Sequence, residues 1–125
     1  MTATLHFELP SALVINANHR EHWAPKAAKV RNLRAMGRIA AQGQKVGSDR
    51  AVLHIDIRWA TRRAADAENL APTIKALCDG AVGDAALLPD DSDAHVVERR
   101  WRGHYGGKRG ITIIDLRFEP AEEDA

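Results

Sequence analysis

The segment that most constrains the fold lies at 53–59, where apolar and polar residues alternate strictly. Its apolar members are Leu53, Ile55, Ile57 and Trp59, and its polar members are His54, Asp56 and Arg58. A period of two is the pattern of a β-strand that buries one face. Leu5, Phe7 and Leu9 repeat this pattern before Pro10, which stops the strand. The chain is therefore expected to build a sheet with one buried face.

Two other segments have helical periodicity. The first runs from Pro25 to about Gln44, is rich in Ala, Arg and Lys, and carries an apolar stripe that includes Leu33 and Gly37. The second has Asn69 as its predicted N-cap and ends at Gly83. Its apolar face comprises Leu70, Ile74, Leu77, Cys78, Ala81 and Val82. Both helices are expected to pack on the sheet.

Two further strands are predicted at 96–101 and 111–118, and the four glycines at 103–110 indicate a flexible hairpin loop between them. The order strand, helix, strand, helix, strand, strand predicts the α+β class, with a small four-stranded mixed sheet and two helices on one face. We expect one domain over residues 1–120 and a frayed acidic tail at 121–125.

The 125-residue chain contains a single cysteine, Cys78. An internal disulfide and a four-cysteine zinc site are therefore impossible. Cys78 lies on the predicted apolar helix face, which favours a core role over a nucleophilic one. Low cysteine content is typical of a reducing, cytoplasmic location. No apolar run approaches the roughly 20 residues of a membrane span, so no membrane partner is expected.

Charge is strongly segregated although the net charge is only +1. Residues 1–63 hold 11 basic and 4 acidic residues, whereas residues 64–98 hold 1 basic and 8 acidic residues. Residues 99–118 are basic again, with 6 basic residues and 1 acidic residue. Such segregation is typical of proteins that contact a polyanion, although mutually neutralising solvated faces would give the same pattern.

The acidic block contains Asp66 and Glu68 before the second helix, and Asp90, Asp91 and Asp93 before the third strand. Paired carboxylates from two segments could hold a hard divalent cation such as Mg²⁺. The alternative is structural, with the first pair stabilising a helix N-terminus and the others forming a turn. Spacing alone leaves both interpretations open.

Basic residues offer two further candidate groups. Lys75 and Asp79 are four apart on the second helix, which predicts either a surface ion pair or a lysine that faces Asp66 and Glu68. On the first helix a basic stripe lies beside the apolar one, and it is either a solvated face or a phosphate-binding surface. That stripe includes Arg31, Arg34 and Arg38.

Several short motifs in order resemble one known family. They are Leu9-Pro10, Arg62-Arg63, Asp66-Ala67-Glu68-Asn69-Leu70, Lys75, Asp79-Gly80, Leu88-Pro89-Asp90-Asp91 and Val96-Val97. The chain thus resembles the RusA-type Holliday-junction resolvases, the crossover junction endodeoxyribonucleases, over roughly residues 5–101. The family has Asp where this chain has Glu68, and Asp93 rivals Asp91 as the last catalytic carboxylate.

The resemblance implies a RusA-like fold and a homodimeric hydrolase that resolves four-way DNA junctions by paired nicks, in DNA recombination and repair. It implies a Mg²⁺ cofactor, which Mn²⁺ could replace. The implied metal ligands are Asp66, Glu68, Asp90 and Asp91, and the implied catalytic residues are Asp66, Glu68, Asp91 and Lys75. Phosphate contacts are expected from Arg31, Arg34, Arg38, Arg62 and Arg63.

Two alternatives stay open. One is a junction-binding protein of the same fold that has lost cleavage, since Glu68 is a methylene longer than the family's Asp. The other is a small cytoplasmic α+β domain unrelated to DNA. Magnesium-dependent nicking of a synthetic four-way junction would separate the three.

Overall fold

The structure is a computed structural model that describes residues 1–17, 23–60 and 67–121. Its strands are β1 (Ala3–Pro10), β2 (Ala51–Arg58), β3 (Val96–His104) and β4 (Ile111–Pro120). Its helices are α1 (Trp23–Ala41) and α2 (Ala71–Cys78). Short 3₁₀ turns occur at Ser11–Leu13 and Ala67–Leu70, and a π-helical turn at Asp79–Asp84 continues α2. The predicted tail lies, apart from Ala121, outside the described residues.

The four strands form one mixed sheet in the order β1-β4-β2-β3. β4 is antiparallel to both of its neighbours, and β3 runs parallel to β2. This confirms the prediction of an α+β fold with a four-stranded mixed sheet and two helices. No helix in the described parts of the chain is long and apolar enough to cross a membrane.

The predicted hairpin between β3 and β4 is wrong. These strands lie on opposite sides of β2, so the glycine-rich loop passes from one side of β2 to the other. The loop is held there, because Gly107 donates a 2.9 Å backbone hydrogen bond to Trp59 and Arg58 Nη1 donates one of 2.6 Å to the Tyr105 carbonyl. The central position suits β4, whose Leu116 and Phe118 are fully buried, whereas most of β3 is exposed.

One face of the sheet forms the core with the helices. On β1, β4 and β2 the cross-strand neighbours on this face are buried, as in the row that joins Leu5, Leu116 and Ile55. Leu33 of α1 and Leu77 of α2 are fully buried in the same apolar cluster. The alternation predicted from the sequence therefore identifies the core-facing residues of β1 and β2.

The opposite face of the sheet is polar. Three of its histidines each contact a carboxylate: His6 and Asp115 at 2.6 Å, His54 and Glu119 at 3.0 Å, and His104 and Asp56 at 2.7 Å. Polar pairs of this kind suit a solvent-facing surface.

Two glycines allow α1 to pack closely against α2 and its π-helical turn. A Cβ on Gly80 would overlap the carbonyl oxygen of Arg34, and one on Gly37 would overlap the carbonyl oxygen of Leu77. Both positions are buried. The glycine of the Asp79-Gly80 motif thus has a packing role.

Candidate functional site

Lys75 joins the two acidic segments of the described chain. Its Nζ donates to Asp79 Oδ1 at 3.0 Å and to Asp91 Oδ2 at 3.2 Å. The first contact is the predicted i, i+4 ion pair, and the second spans sixteen residues to the loop before β3. The structure therefore brings together Lys75 and Asp91, two residues that the sequence motifs single out.

Charge is maintained on both partners of this contact. The pKa of Lys75 is raised, chiefly by its hydrogen bond to Asp79 and then by the one to Asp91. Burial alone would raise the pKa of Asp91, but hydrogen bonds and attraction to Lys75 outweigh it, and the pKa is lowered. Asp91 is therefore ionised at neutral pH, as a metal-binding carboxylate must be.

Arg99 holds the loop that carries Asp91. Its Nη2 donates a 2.8 Å hydrogen bond to the Asp91 carbonyl, and its Nη1 donates one of 3.1 Å to Asp93 Oδ1. Sequence reasoning missed this residue. A signal for it was available, because Arg99 is a charged residue at a core-facing position of β3. In the structure it stands opposite buried Leu53.

The three loop aspartates have different surroundings. Asp90 Oδ1 accepts a 2.8 Å hydrogen bond from the Asp91 amide, which is the turn role expected of it. Asp93 contacts Arg99 and its side chain is 96% exposed, whereas that of Asp91 is 29% exposed. Geometry places Asp91 at Lys75 and leaves Asp93 outside that contact.

The other acidic motif is only partly described. Glu68 is exposed in the 3₁₀ turn Ala67–Leu70, which leads directly into α2. Asn69 lies in that turn as well, and α2 has Leu70 as its N-cap without a side-chain hydrogen bond, so the predicted Asn69 cap is wrong. Asp66, Arg62 and Arg63 lie outside the described residues.

The donor chemistry suits a hard cation, because all four predicted ligands are carboxylates. Within residues 1–17, 23–60 and 67–121, however, no three His, Cys, Asp or Glu side chains are grouped so that they could hold a metal ion. Asp90, Asp91 and Glu68 therefore do not form a metal centre by themselves in this conformation. Asp66 is the one predicted ligand outside these ranges.

A crevice of about 340 Å³ lies beside the Lys75 contact, between α2 and β3. Its apolar lining comprises Leu53, Ala71, Ile74, Cys78, Val96 and Trp101. Its charged lining comprises Lys75, Asp91, Asp93 and Arg99. Burial raises the pKa of the Cys78 thiol to about 12, so this cysteine is not a nucleophile and its predicted core role is confirmed.

The basic stripe of α1 is exposed, as predicted, but its members differ. Arg34 forms a bidentate ion pair with Asp84, with both N···O distances at 2.7 Å, and this pair lowers the pKa of Asp84. It ties α1 to the π-helical turn. Among the described residues, Arg31 and Arg38 form no ion pair within 4.0 Å, although the charge of Arg38 helps Arg34 to lower the pKa of Asp84.

In comparisons with known proteins, no protein-family model and no curated protein matches this chain.

Proposed function

We propose that this protein is a magnesium-dependent endonuclease that resolves four-way DNA junctions, as the resemblance to the RusA-type resolvases implies. The observation that carries the proposal is the contact between Lys75 and Asp91. These residues come from two separate motifs of that resemblance, and a nuclease site needs a cation and a carboxylate beside one phosphate. Their proximity in the fold supports a common role.

Asp91 is the described residue best suited to hold Mg²⁺, with Asp66 and Glu68 as its proposed partners and Asp90 as a further candidate. Mn²⁺ would be accepted by the same oxygen donors. When bound, the ion would activate water and neutralise charge that develops on the phosphate. The protein's own contribution is to keep the Asp91 carboxylate ionised and to hold its loop through Arg99.

Lys75 is proposed to stabilise the negative charge of the phosphate. Its side chain is 67% exposed, and exposed ion pairs are worth under about 1 kcal/mol, so it can turn from Asp91 to a phosphate oxygen at small cost. Asp79 remains as its second partner, four residues along the helix. The pair Lys75 and Asp79 thus keeps a protonated ammonium group beside the site.

DNA binding is proposed to depend on basic residues around this site. Arg31 and Arg38 of α1 form no ion pair within 4.0 Å in the described structure, whereas Arg34 would have to exchange Asp84 for a phosphate. Arg62 and Arg63 are proposed on the resemblance alone. Positive charge beside an acidic site offsets its repulsion of the DNA backbone, and this accounts for the segregated charge of the chain.

Resolution by paired nicks requires two active sites, so we propose a homodimer with two-fold symmetry. Sedimentation at micromolar concentration is expected to give about twice the chain mass of 13.7 kDa. A monomer both free and on junction DNA would contradict paired nicking. A role in DNA recombination and repair follows from the proposed activity, and a cytoplasmic location is proposed from the low cysteine content.

The test is nicking of a synthetic four-way junction with and without Mg²⁺, with a linear duplex of the same sequence as the control. Metal-dependent nicks in opposite strands of the junction alone would support the proposal. Junction binding without nicks would favour the cleavage-deficient alternative. That alternative is suggested by Glu68, which stands where the resembled family has Asp. If the protein neither binds nor nicks the junction, the alternative that stands is an α+β domain unrelated to DNA.

A further inference from the structure

The crevice between α2 and β3 has an apolar lining that plays no part in the proposed metal binding or in the proposed role of Lys75. Its wall on the β3 side carries Trp101, which stands opposite Ile55 and therefore faces the helix side of the sheet. Trp101 is only partly buried against the core, whereas Ile74 and Leu53 below it are buried. The crevice thus offers an accessible aromatic ring above an apolar floor.

The charges that line the crevice balance. Lys75 and Arg99 supply two positive charges, and Asp91 and Asp93 supply two negative charges. Each cation already contacts one of these carboxylates. A simple anion would gain little there, so the ligand that fits must gain most of its affinity from the aromatic and aliphatic surface.

We propose that this crevice binds one unpaired nucleotide of the DNA strand, with its base against Trp101 and its phosphate toward Lys75. The inference deepens the proposed nuclease function and rests on it for the choice of DNA. The volume of about 340 Å³ is at the lower end of the roughly 300–1,000 Å³ that small-molecule sites occupy. Every base has a π-face, so stacking on one tryptophan accepts any sequence.

This subsite explains why a branched substrate would be preferred. Bases at a branch point leave the helical stack more readily than bases inside a duplex. A base held beside Lys75 and Asp91 would position the adjoining phosphate at the charged site. Trp101 would then select strands with an accessible base, and fully paired DNA could not fill the crevice.

The experiment is a metal-free titration of the full chain with deoxyadenosine monophosphate, in which calorimetry gives the affinity of each variant and NMR at the Trp101 indole N–H locates the bound nucleotide. Two variants test the crevice from opposite walls. Trp101→Leu removes the ring, and Ala71→Leu fills the space from an exposed position at the start of α2 without altering the core. Tyr105→Leu is the matched control, because Tyr105 is an exposed aromatic residue outside the crevice.

We expect the nucleotide to shift the Trp101 resonance and both crevice variants to weaken binding roughly tenfold or more, as loss of base stacking does. Tyr105→Leu is expected to bind as the wild type does, and inorganic phosphate to leave the Trp101 resonance unmoved. An unmoved Trp101 resonance on addition of the nucleotide, or equal affinity in the wild type and Ala71→Leu, would overturn the inference. Ala71→Leu keeps the test decisive if Trp101→Leu does not fold.

The titration separates this inference from the nuclease proposal, because it contains neither metal nor junction. Nucleotide binding in the crevice, together with failure to nick junctions, would contradict the nuclease and leave the subsite standing. Junction nicking by a fully active Ala71→Leu variant, with no shift at Trp101, would contradict the subsite and leave the nuclease standing.

Discussion

Arg99 donates a 2.8 Å hydrogen bond to the main-chain carbonyl of Asp91, eight residues earlier in the chain. A strand residue thereby holds the loop whose carboxylate contacts Lys75. The same guanidinium contacts the exposed Asp93, so one side chain joins β3 to two points of the loop. The position of Asp91 depends on this contact as well as on Lys75.

Replacing Arg99 is expected to loosen the loop more than the fold. In Arg99→Gln the backbone contact to Asp91 is lost, so amide hydrogen exchange should accelerate in residues 91–95. The free energy of unfolding should fall by under about 1 kcal/mol, since Asp93, the ion-pair partner of Arg99, is exposed. Arg102→Gln is the control, because Arg102 lies on the same strand but on its other face, opposite Asp56. Equal exchange rates in the two variants would contradict the role of Arg99.

The glycine at position 80 is expected to be indispensable for packing. In Gly80→Ala the new Cβ overlaps the Arg34 carbonyl, and overpacking of this kind costs about 1–3 kcal/mol of unfolding free energy. Gly83→Ala is the matched control in the same π-helical turn, because its Cβ would meet open space. Urea denaturation should show a large loss for the first variant and little change for the second. Equal stability would refute the close contact.

The pair formed by His6 and Asp115 is expected to make stability depend on pH near neutrality. The hydrogen bond from His6 to Asp115 raises the pKa of the imidazole, and the contact with Glu8 raises this pKa by less. Because the pKa of His6 is higher in the folded than in the unfolded chain, the pair stabilises the fold at pH values below the unfolded pKa of about 6.5. This stabilisation is lost as the pH rises through the pKa that His6 has in the folded chain. His6 is 54% exposed, so the effect should stay under about 1 kcal/mol.

The measurement for this pair compares the unfolding free energies of the wild type and His6→Gln at pH values from below about 6.5 to above the raised pKa of His6. The advantage of the wild type should shrink as the pH rises. A constant difference, or one that grows with pH, would show that the pair does not titrate in this way. Asp115→Asn should remove most of this pH dependence, because Glu8 contributes less to the pKa of His6.

Arg31 and Arg38 are expected to contact phosphates. Replacing either by Ala should reduce the slope of log affinity against log salt concentration by about 0.9, as loss of one phosphate contact does. Arg117→Ala, on the polar face of β4 and paired with Glu119, is the control. Gel-shift titrations of a four-way junction at several salt concentrations provide the slopes. Unchanged slopes in both α1 variants would place the DNA surface elsewhere.

Local pattern predicted most of the fold here. The alternation at Leu53, Ile55 and Ile57 marks β2 correctly, and Cys78 lies in the core as its helix face indicates. The strand order was not predictable in the same way, because it depends on pairing between distant segments. The four glycines at 103–110 indicate a hairpin locally, but the same stretch also allows a crossing past β2.

The candidate site was predicted in part. Motif order singled out Lys75 and Asp91, and helical spacing predicted the contact to Asp79. The contact between Arg34 and Asp84 joins residues fifty apart, and nothing in their local spacing announces it. Metal ligation by Asp66, Glu68, Asp90 and Asp91 stays a prediction, as do the DNA contacts.

The most direct measurement of the central claim is Mg²⁺-dependent nicking of a four-way junction by Asp91→Asn, with Asp93→Asn as the matched control. The account predicts that Asp91→Asn abolishes nicking while junction binding survives or tightens, because a metal ligand and a negative charge are lost together. Asp93→Asn should nick like the wild type, since Asp93 does not contact Lys75. Wild-type nicking by Asp91→Asn, or loss of nicking only in Asp93→Asn, would contradict the account.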